Sequence, residues 1–246
     1  GYGDDGNIWG SEFMVCDLES YERYSHFEYI PLPGGDKVTH EPWRVGVSYL
    51  YNVFGKDFIN MDLKFIDNIE KKNIALMLDA IDKKINSPLS SGAGRLFDGI
   101  AAIINLCPVS SYHAEAPMRL ESIIDHKCTD IYNFETGRPV PLKSLIEQIV
   151  MDIGKKSLPV ISAKFHNTII AIICEMAKEM RSLYKIEKIV LSGGSFQNRY
   201  ILSKTETELL KQNFEVFIPS LIPVNDGGIA LGQLAVAAKR RQKGTL

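Results

Sequence analysis

The sequence predicts an α/β fold with a large helical middle portion, and three observations carry that prediction. The last third alternates strand, helix, strand and helix with short connections, the pattern of an α/β layer. Between residues 41 and 185, apolar residues recur at helical spacing in one segment after another. The first 40 residues hold short aromatic and β-branched runs broken by glycine. The chain thus divides into strands and glycine loops over 1–40, a mostly helical part over 41–185 and an α/β lobe over 186–246.

In chain order, Ile8 to Val15 (IWGSEFMV) and Tyr24 to Pro31 (YSHFEYIP) read as strands, and LPGGD at 32–36 ends the second. EPWRVGVSYLYNVF is a helix with Pro42 at its first position, where an N–H would have no partner anyway. Asn68 to Asn86 is amphipathic through Ile69, Ala75, Leu76, Leu78 and Ile81. SGAGRLFDGIAAIINL (91–106) is a helix with Arg95 and Asp98 near its start. Residues 114–126 and 141–153 read as helices, with YNFETGRPVP a turn or short hairpin between them. The longest helix runs from Ser162 toward Leu183. EKIVLSGG is then strand and loop, NRYILSKTETELLKQ helix, FEVFIP strand, PVNDGG loop and IALGQLAVAAKRRQ helix.

Composition excludes several classes. With 45% hydrophobic and 24% charged residues among 246, the chain can bury a core and is neither disordered nor fibrous. The 28 Lys and Arg against 30 Asp and Glu give a net charge of −2, without the basic footprint expected of a nucleic-acid binder. The one basic cluster, Lys239, Arg240, Arg241 and Lys243, complements the negative end of the last helix. Four distant cysteines, none in a C-x-x-C, disfavour structural zinc and suggest reduced thiols in a cytoplasmic protein. No run of about 18 apolar residues indicates a membrane span, and no signal peptide is visible. The chain opens at Gly1 inside glycine-rich, charged sequence without an initiator Met, so it is expected to be the rear part of something longer.

Glycine pairs recur at Gly34-Gly35, Gly193-Gly194 and Gly227-Gly228, and the last two each follow a strand and precede a helix. Glycine lets backbone amides approach a phosphate without Cβ interference, and a helix N-terminus adds partial positive charge. Two such loops in consecutive units point to a nucleotide cleft, although turns use glycine too. Asp226 beside one pair reads as a ligand for a divalent metal carrying phosphates, or equally as a helix cap. The literal G-x-G-x-x-G at Gly1, Gly3 and Gly6 lacks a preceding strand, and Asp4 and Asp5 would repel pyrophosphate. The histidines show no zinc spacing, Ser192 and Ser195 do not fit G-x-S-x-G, and the single cysteines read as core.

GYGDDGNIWGSE at 1–12, LPGGD at 32–36, EPWR at 41–44, SSGAGRLFD at 90–98, LSGGSFQN at 191–198 and NDGGIALGQ at 225–233 then come in a specific order. Together, and essentially from end to end, they resemble the C-terminal region of the hydrogenase maturation carbamoyltransferase family, HypF. The resemblance implies an incomplete actin, sugar-kinase and chaperone-ATPase-like (ribonuclease H-like) superfold, similar to the tRNA threonylcarbamoyl-transfer enzymes. It implies ATP and carbamoyl-adenylate as substrates, a divalent metal, and transfer of the carbamoyl group to a C-terminal cysteine of a HypE-type partner. Carried onto this sequence, Gly34 and Gly35 face phosphates or ribose. Ser192, Gly193, Gly194 and Asn198 line the adenosine side, and Asp226 is a metal ligand. Asp5, Glu12 and Asp98 are polar cleft residues with roles left open.

Ser11 and Ser195 depart from the family, which usually has Gly and an apolar residue there. The family's upstream domains, and the histidine-rich motif that supplies other metal ligands, have no counterpart here. The metal site is therefore expected to be incomplete and the chain alone inactive, with two copies able to pair through an open sheet edge. The competing readings are a tRNA-modifying relative or sugar kinase of the same superfold, and a non-catalytic piece that holds nucleotide weakly or docks a partner.

Overall fold

The computed structural model describes residues 1–244, so residues 245 and 246 of the expected C-terminal lobe lie outside it. At the front of the chain the Asp17 carboxylate accepts the N–H groups of Glu19 and Ser20 at 2.7 and 2.8 Å. That turn folds β1 (Phe13–Cys16) onto antiparallel β2 (Tyr21–Ser25). The strand expected over Tyr24–Pro31 breaks after Ser25. Val140 donates its N–H to His26 at 2.8 Å and accepts that of Glu28 at 3.0 Å, so this stretch leaves the hairpin for a segment more than 100 residues away. The chain resumes as β3 (Ile30–Pro31), antiparallel to β4 (Leu89–Ser90). Ile8 bridges Ser90 instead of extending β1, so only the second half of the expected Ile8–Val15 strand forms the hairpin.

Pro42 opens α1 (Pro42–Phe54) at the position its sequence marks. A short α2 (Lys64–Asp67) precedes α3 (Lys71–Asp82), which stops earlier than Asn86 because Lys84 and Asn86 take left-handed backbone, φ 54° and 42°. α1 packs most extensively on α4 (Ala93–Ile103). Their approach needs Gly99, where a Cβ would stand 2.7 Å from the Tyr49 ring. α5 (Glu115–Ser122) and α6 (Lys143–Asp152) flank α7 (Leu158–Tyr184), which begins one turn earlier than its apolar pattern suggested, with Pro159 in the first turn. Leu50, Leu96, Ile100, Phe165 and Met176 are fully buried in the core that these helices share with β3. By length and composition α7 could cross a membrane, although polar residues interrupt its apolar stretch. Most of its apolar stretch is buried inside this fold, as in the core helix of a globular domain.

The C-terminal lobe follows the expected alternation: β5 (Lys188–Val190), α8 (Arg199–Lys211), β6 (Glu215–Phe217) and α9 (Ile229–Gln242). β5 and β6 pair in parallel, and α8 covers them while leaning on α7. α9 buries no described side chain; Ile229, Leu231 and Leu234 are each more than half exposed. Val190 and Phe217 on the strands are exposed as well, an unusual state for parallel strands, which are normally covered on both faces.

Candidate functional site

The two glycine loops of the C-terminal lobe are one structure. Gly193 donates its N–H to the Val224 carbonyl at 2.7 Å, and Ser192 Oγ lies 3.4 Å from the same oxygen. Ser192, Gly193 and Gly194 are thereby held against the turn that carries Asp226. Gly193 has φ 108° and ψ 161°, a conformation only glycine adopts without strain. A Cβ at Gly194 would meet nothing within 4 Å, so the backbone there faces open space. Asn225, rather than Asp226, caps the following turn, its Oδ1 accepting the Gly227 N–H at 3.1 Å. The exposed Asp226 carboxylate is left clear of the capping role that the sequence allowed it.

Asn198 ends the first loop and caps α8, its Oδ1 accepting the Ile201 N–H at 2.9 Å. Glu121 of α5 takes the two preceding amides, Arg199 N–H at 2.8 Å and Tyr200 N–H at 3.2 Å. The α8 N-terminus, expected to offer its positive end to a phosphate, is thus already satisfied by the protein.

The other residues singled out by sequence make contacts of their own. Gly34 (φ 97°) and Gly35 (φ 57°) form a tight turn whose contacts are Asn86 and Arg44: Gly34 N–H donates to Asn86 O at 2.8 Å, and a Cβ at Gly34 would stand 3.1 Å from the Arg44 guanidinium. Asp5 and Glu12 are brought together by Arg23, which reaches Asp5 at 3.1 Å and Glu12 through Nε, with its guanidinium 4.0 Å over the Trp9 ring. Asp5 also accepts from Tyr29 and Trp9, and these bonds, Tyr29's first, hold its carboxyl far below the usual range. Burial pushes the Glu12 carboxyl up, but hydrogen bonds from Arg23, Ser91 and Gly10 outweigh it and leave it lowered. Both carboxylates are fully engaged, and Glu12 ties the front loop to Ser91, where β4 runs into α4.

Asp98 is different. Only 2% exposed, it sits on α4 with Arg95 Nη2 at 2.9 Å from its Oδ2, yet that contact has poor hydrogen-bond alignment and Oδ2 lacks a hydrogen-bond donor. Burial therefore prevails over the Arg95 charge and raises the carboxyl to about 7. Its neighbour Phe97 packs edge-on against the ring of His166 on α7, which is fully buried and contacts Asn198 at 3.0 Å. Neither Arg23 nor His166 carried a sequence signal, since the former belongs to no motif and the latter lacks metal spacing.

The donor set does not fit a tightly bound metal. Asp226 is one exposed carboxylate, and among the described residues no three His, Cys, Asp or Glu side chains converge.

Residues 1–233 match the family model described as "Carbamoyltransferase, Kae1-like Domain, second subdomain". Carbamoyltransferase HypF of Synechocystis sp. is 34% identical over 260 residues, an alignment covering 98% of this chain and 33% of that protein. A crystal structure of full-length HypF in the phosphate- and nucleotide-bound form matches with a TM-score of 0.91 at 37% identity, over 97% of this chain and 38% of that one. The T. kodakarensis HypF structure matches with a TM-score of 0.84 at 26% identity, over 97% and 33%. The chain spans about a third of the length of these curated relatives. Its mixture of helices and strands is the α/β, ribonuclease H-like arrangement of that Kae1-like domain.

Proposed function

The chain belongs to the HypF carbamoyltransferase family, matching the second subdomain of its Kae1-like domain, and from that premise we propose that its joined glycine loops hold the adenylate side of carbamoyl-adenylate during carbamoyl transfer. The acceptor is a cysteine thiolate of a HypE-type partner. Its sulfur forms a bond to the carbamoyl carbon as the bond from that carbon to the phosphate oxygen breaks, and AMP leaves with the electron pair. An acyl-adenylate is already activated, so the protein's work is positioning and stabilising charge on the departing AMP. The observation that carries the reading is the Gly193 N–H to Val224 hydrogen bond, which sets the open backbone of Gly194 beside the Asp226 turn.

No step is routed through a metal, because Asp226 alone is too few ligands. For the same reason the isolated chain is expected to bind nucleotide weakly and not to turn over. A second reading, a non-catalytic piece that holds nucleotide or docks a partner, draws support from the α8 N-terminus being filled by Glu121 and Asn198.

The test is the thermal midpoint of the chain with and without ATP and a divalent cation, beside Asp226→Ala. At about 100 times its dissociation constant, a ligand that binds only the folded form adds roughly 2.7 kcal/mol. A shift in the parent that shrinks in the variant supports the nucleotide reading; carbamoyl transfer by this chain alone would overturn the expected inactivity.

A further inference from the structure

Three helices of this chain, α4, α7 and α8, meet at one imidazole. His166 lies on α7, fully buried, with the Phe97 ring of α4 at 5.4 Å and the Tyr200 ring of α8 at 5.9 Å between centroids. Its Nδ1 is 2.7 Å from the Ser162 carbonyl and its Nε2 is 3.0 Å from Asn198 Nδ2.

The polarity of this chain of contacts is fixed from both ends by backbone groups. The Ile201 N–H can only donate, so the Asn198 atom facing it at 2.9 Å is Oδ1, and the Asn198 NH₂ is turned toward His166. That NH₂ can only donate, so Nε2 carries a lone pair and the ring proton sits on Nδ1. The Ser162 carbonyl can only accept, which is what Nδ1–H requires. The Ser162 hydroxyl meanwhile donates to the Leu120 carbonyl at 2.6 Å and is not needed by the ring. One tautomer satisfies every member, and burial keeps the ring neutral by lowering its pKa to about 4.

We propose that His166 is the positioning residue of the 192–198 loop, its neutral Nδ1–H tautomer locking Asn198 into the orientation that caps α8 and closes the loop. The loop is then pinned at two points: Gly193 to Val224 of the Asp226 turn, and Asn198 to α7. Between them Phe196 N–H donates to the Gly193 carbonyl at 3.0 Å, so freeing Asn198 slackens the segment that presents Gly194. A link from this lock to nucleotide affinity rests on the proposed nucleotide reading; the lock itself does not.

The experiment has three parts on the same 246-residue chain. Ring ¹H–¹⁵N correlations of His166 in the parent report the tautomer directly, and Nδ1–H with a bare Nε2 is expected. Two variants then separate the ring's two contacts. His166→Gln keeps an acceptor at the Nε2 position, whereas His166→Asn keeps a polar group near Nδ1 and loses the Asn198 contact. Amide exchange at Ile201 and Phe196 is expected to quicken about fivefold in the Asn variant and to stay near the parent rate in the Gln variant, the size of losing one cap. An Nε2–H tautomer, or equal exchange at Ile201 in the two variants, overturns the proposal. ATP affinity is measured alongside, with a loss of roughly three- to tenfold expected for the Asn variant only. Absent ATP binding in the parent, together with the exchange difference, refutes the nucleotide reading and supports the lock.

Discussion

Asp98 and His166 give this chain two buried titrations of opposite sign, and Asp98→Asn separates them. The Asp98 carboxyl is raised from 3.8 to about 7 by burial, against the opposing charge of Arg95. The folded state therefore keeps this proton longer than the unfolded chain does. Its contribution to stability is complete below about pH 4 and is lost as the pH rises toward 7. Three pH units at about 1.4 kcal/mol each put that loss at up to about 4 kcal/mol. His166 runs the other way. Burial lowers it from 6.5 to about 4, so its contribution is present above 6.5 and disappears as the pH falls toward 4, with a span of roughly 3 kcal/mol. Between pH 4 and 6.5 the two slopes largely cancel in the parent. Asn is close to isosteric with Asp, leaves the site neutral at every pH and unmasks the rising slope. Urea unfolding of parent and variant at half-unit steps from pH 4.5 to 8 measures it, and the difference curve cancels every other group. The variant is expected to gain on the parent by roughly 3 kcal/mol between pH 4.5 and 7 and to level off above that. A difference that stays constant within about 0.5 kcal/mol refutes the reasoning.

Other perturbations follow from the same contacts. Arg23→Lys removes the planar fork that reaches Glu12 through Nε and Asp5 through Nη1, and is expected to lower the urea midpoint, because an ammonium cannot reproduce both bonds in that geometry. Glu121→Ala frees the Arg199 and Tyr200 amides and is expected to cost about 1 kcal/mol, with faster amide exchange confined to the first turn of α8. Removing residues from 229 onward is expected to change the unfolding free energy of the remaining core by less than about 1 kcal/mol, since α9 buries no described side chain and its Lys243–Glu19 pair is exposed.

The elements legible in the sequence are those with local causes. Pro42 marks the start of α1, and the alternation after residue 186 yields β5, α8, β6 and α9 in order, since their connections are short. The front sheet was less legible because its pairings are distant. β3 and β4 have two residues each and almost 60 residues between them, and the break after Ser25 depends on Val140. The same division applies to the candidate site. Glycine pairs and Asp226 stand out as motifs, but what joins them is the Val224 carbonyl, a backbone atom with no sequence signature. In the sequence Asp5 and Glu12 read as polar residues of open role. That Arg23, Tyr29 and Trp9 already engage Asp5, and Arg23 and Ser91 Glu12, is a matter of geometry, as is the misalignment that leaves Asp98 Oδ2 without a hydrogen bond 2.9 Å from Arg95. His166 escaped because its role comes from two neighbours' polarity rather than from spacing to another histidine.

The most direct test of the account places a side chain where the nucleotide is proposed to lie. At Gly194 a Cβ meets nothing within 4 Å and the backbone is not in the left-handed region, so Gly194→Val should fold with a stability close to the parent's. ATP is titrated into both proteins, following the amides of Gly193, Gly194 and Gly227. The account predicts saturable shifts at these amides in the parent and their loss in the variant, with the unfolding midpoint unchanged. Equal shifts in parent and variant, or shifts in the parent confined to other residues, would contradict the claim that the joined glycine loops hold the nucleotide.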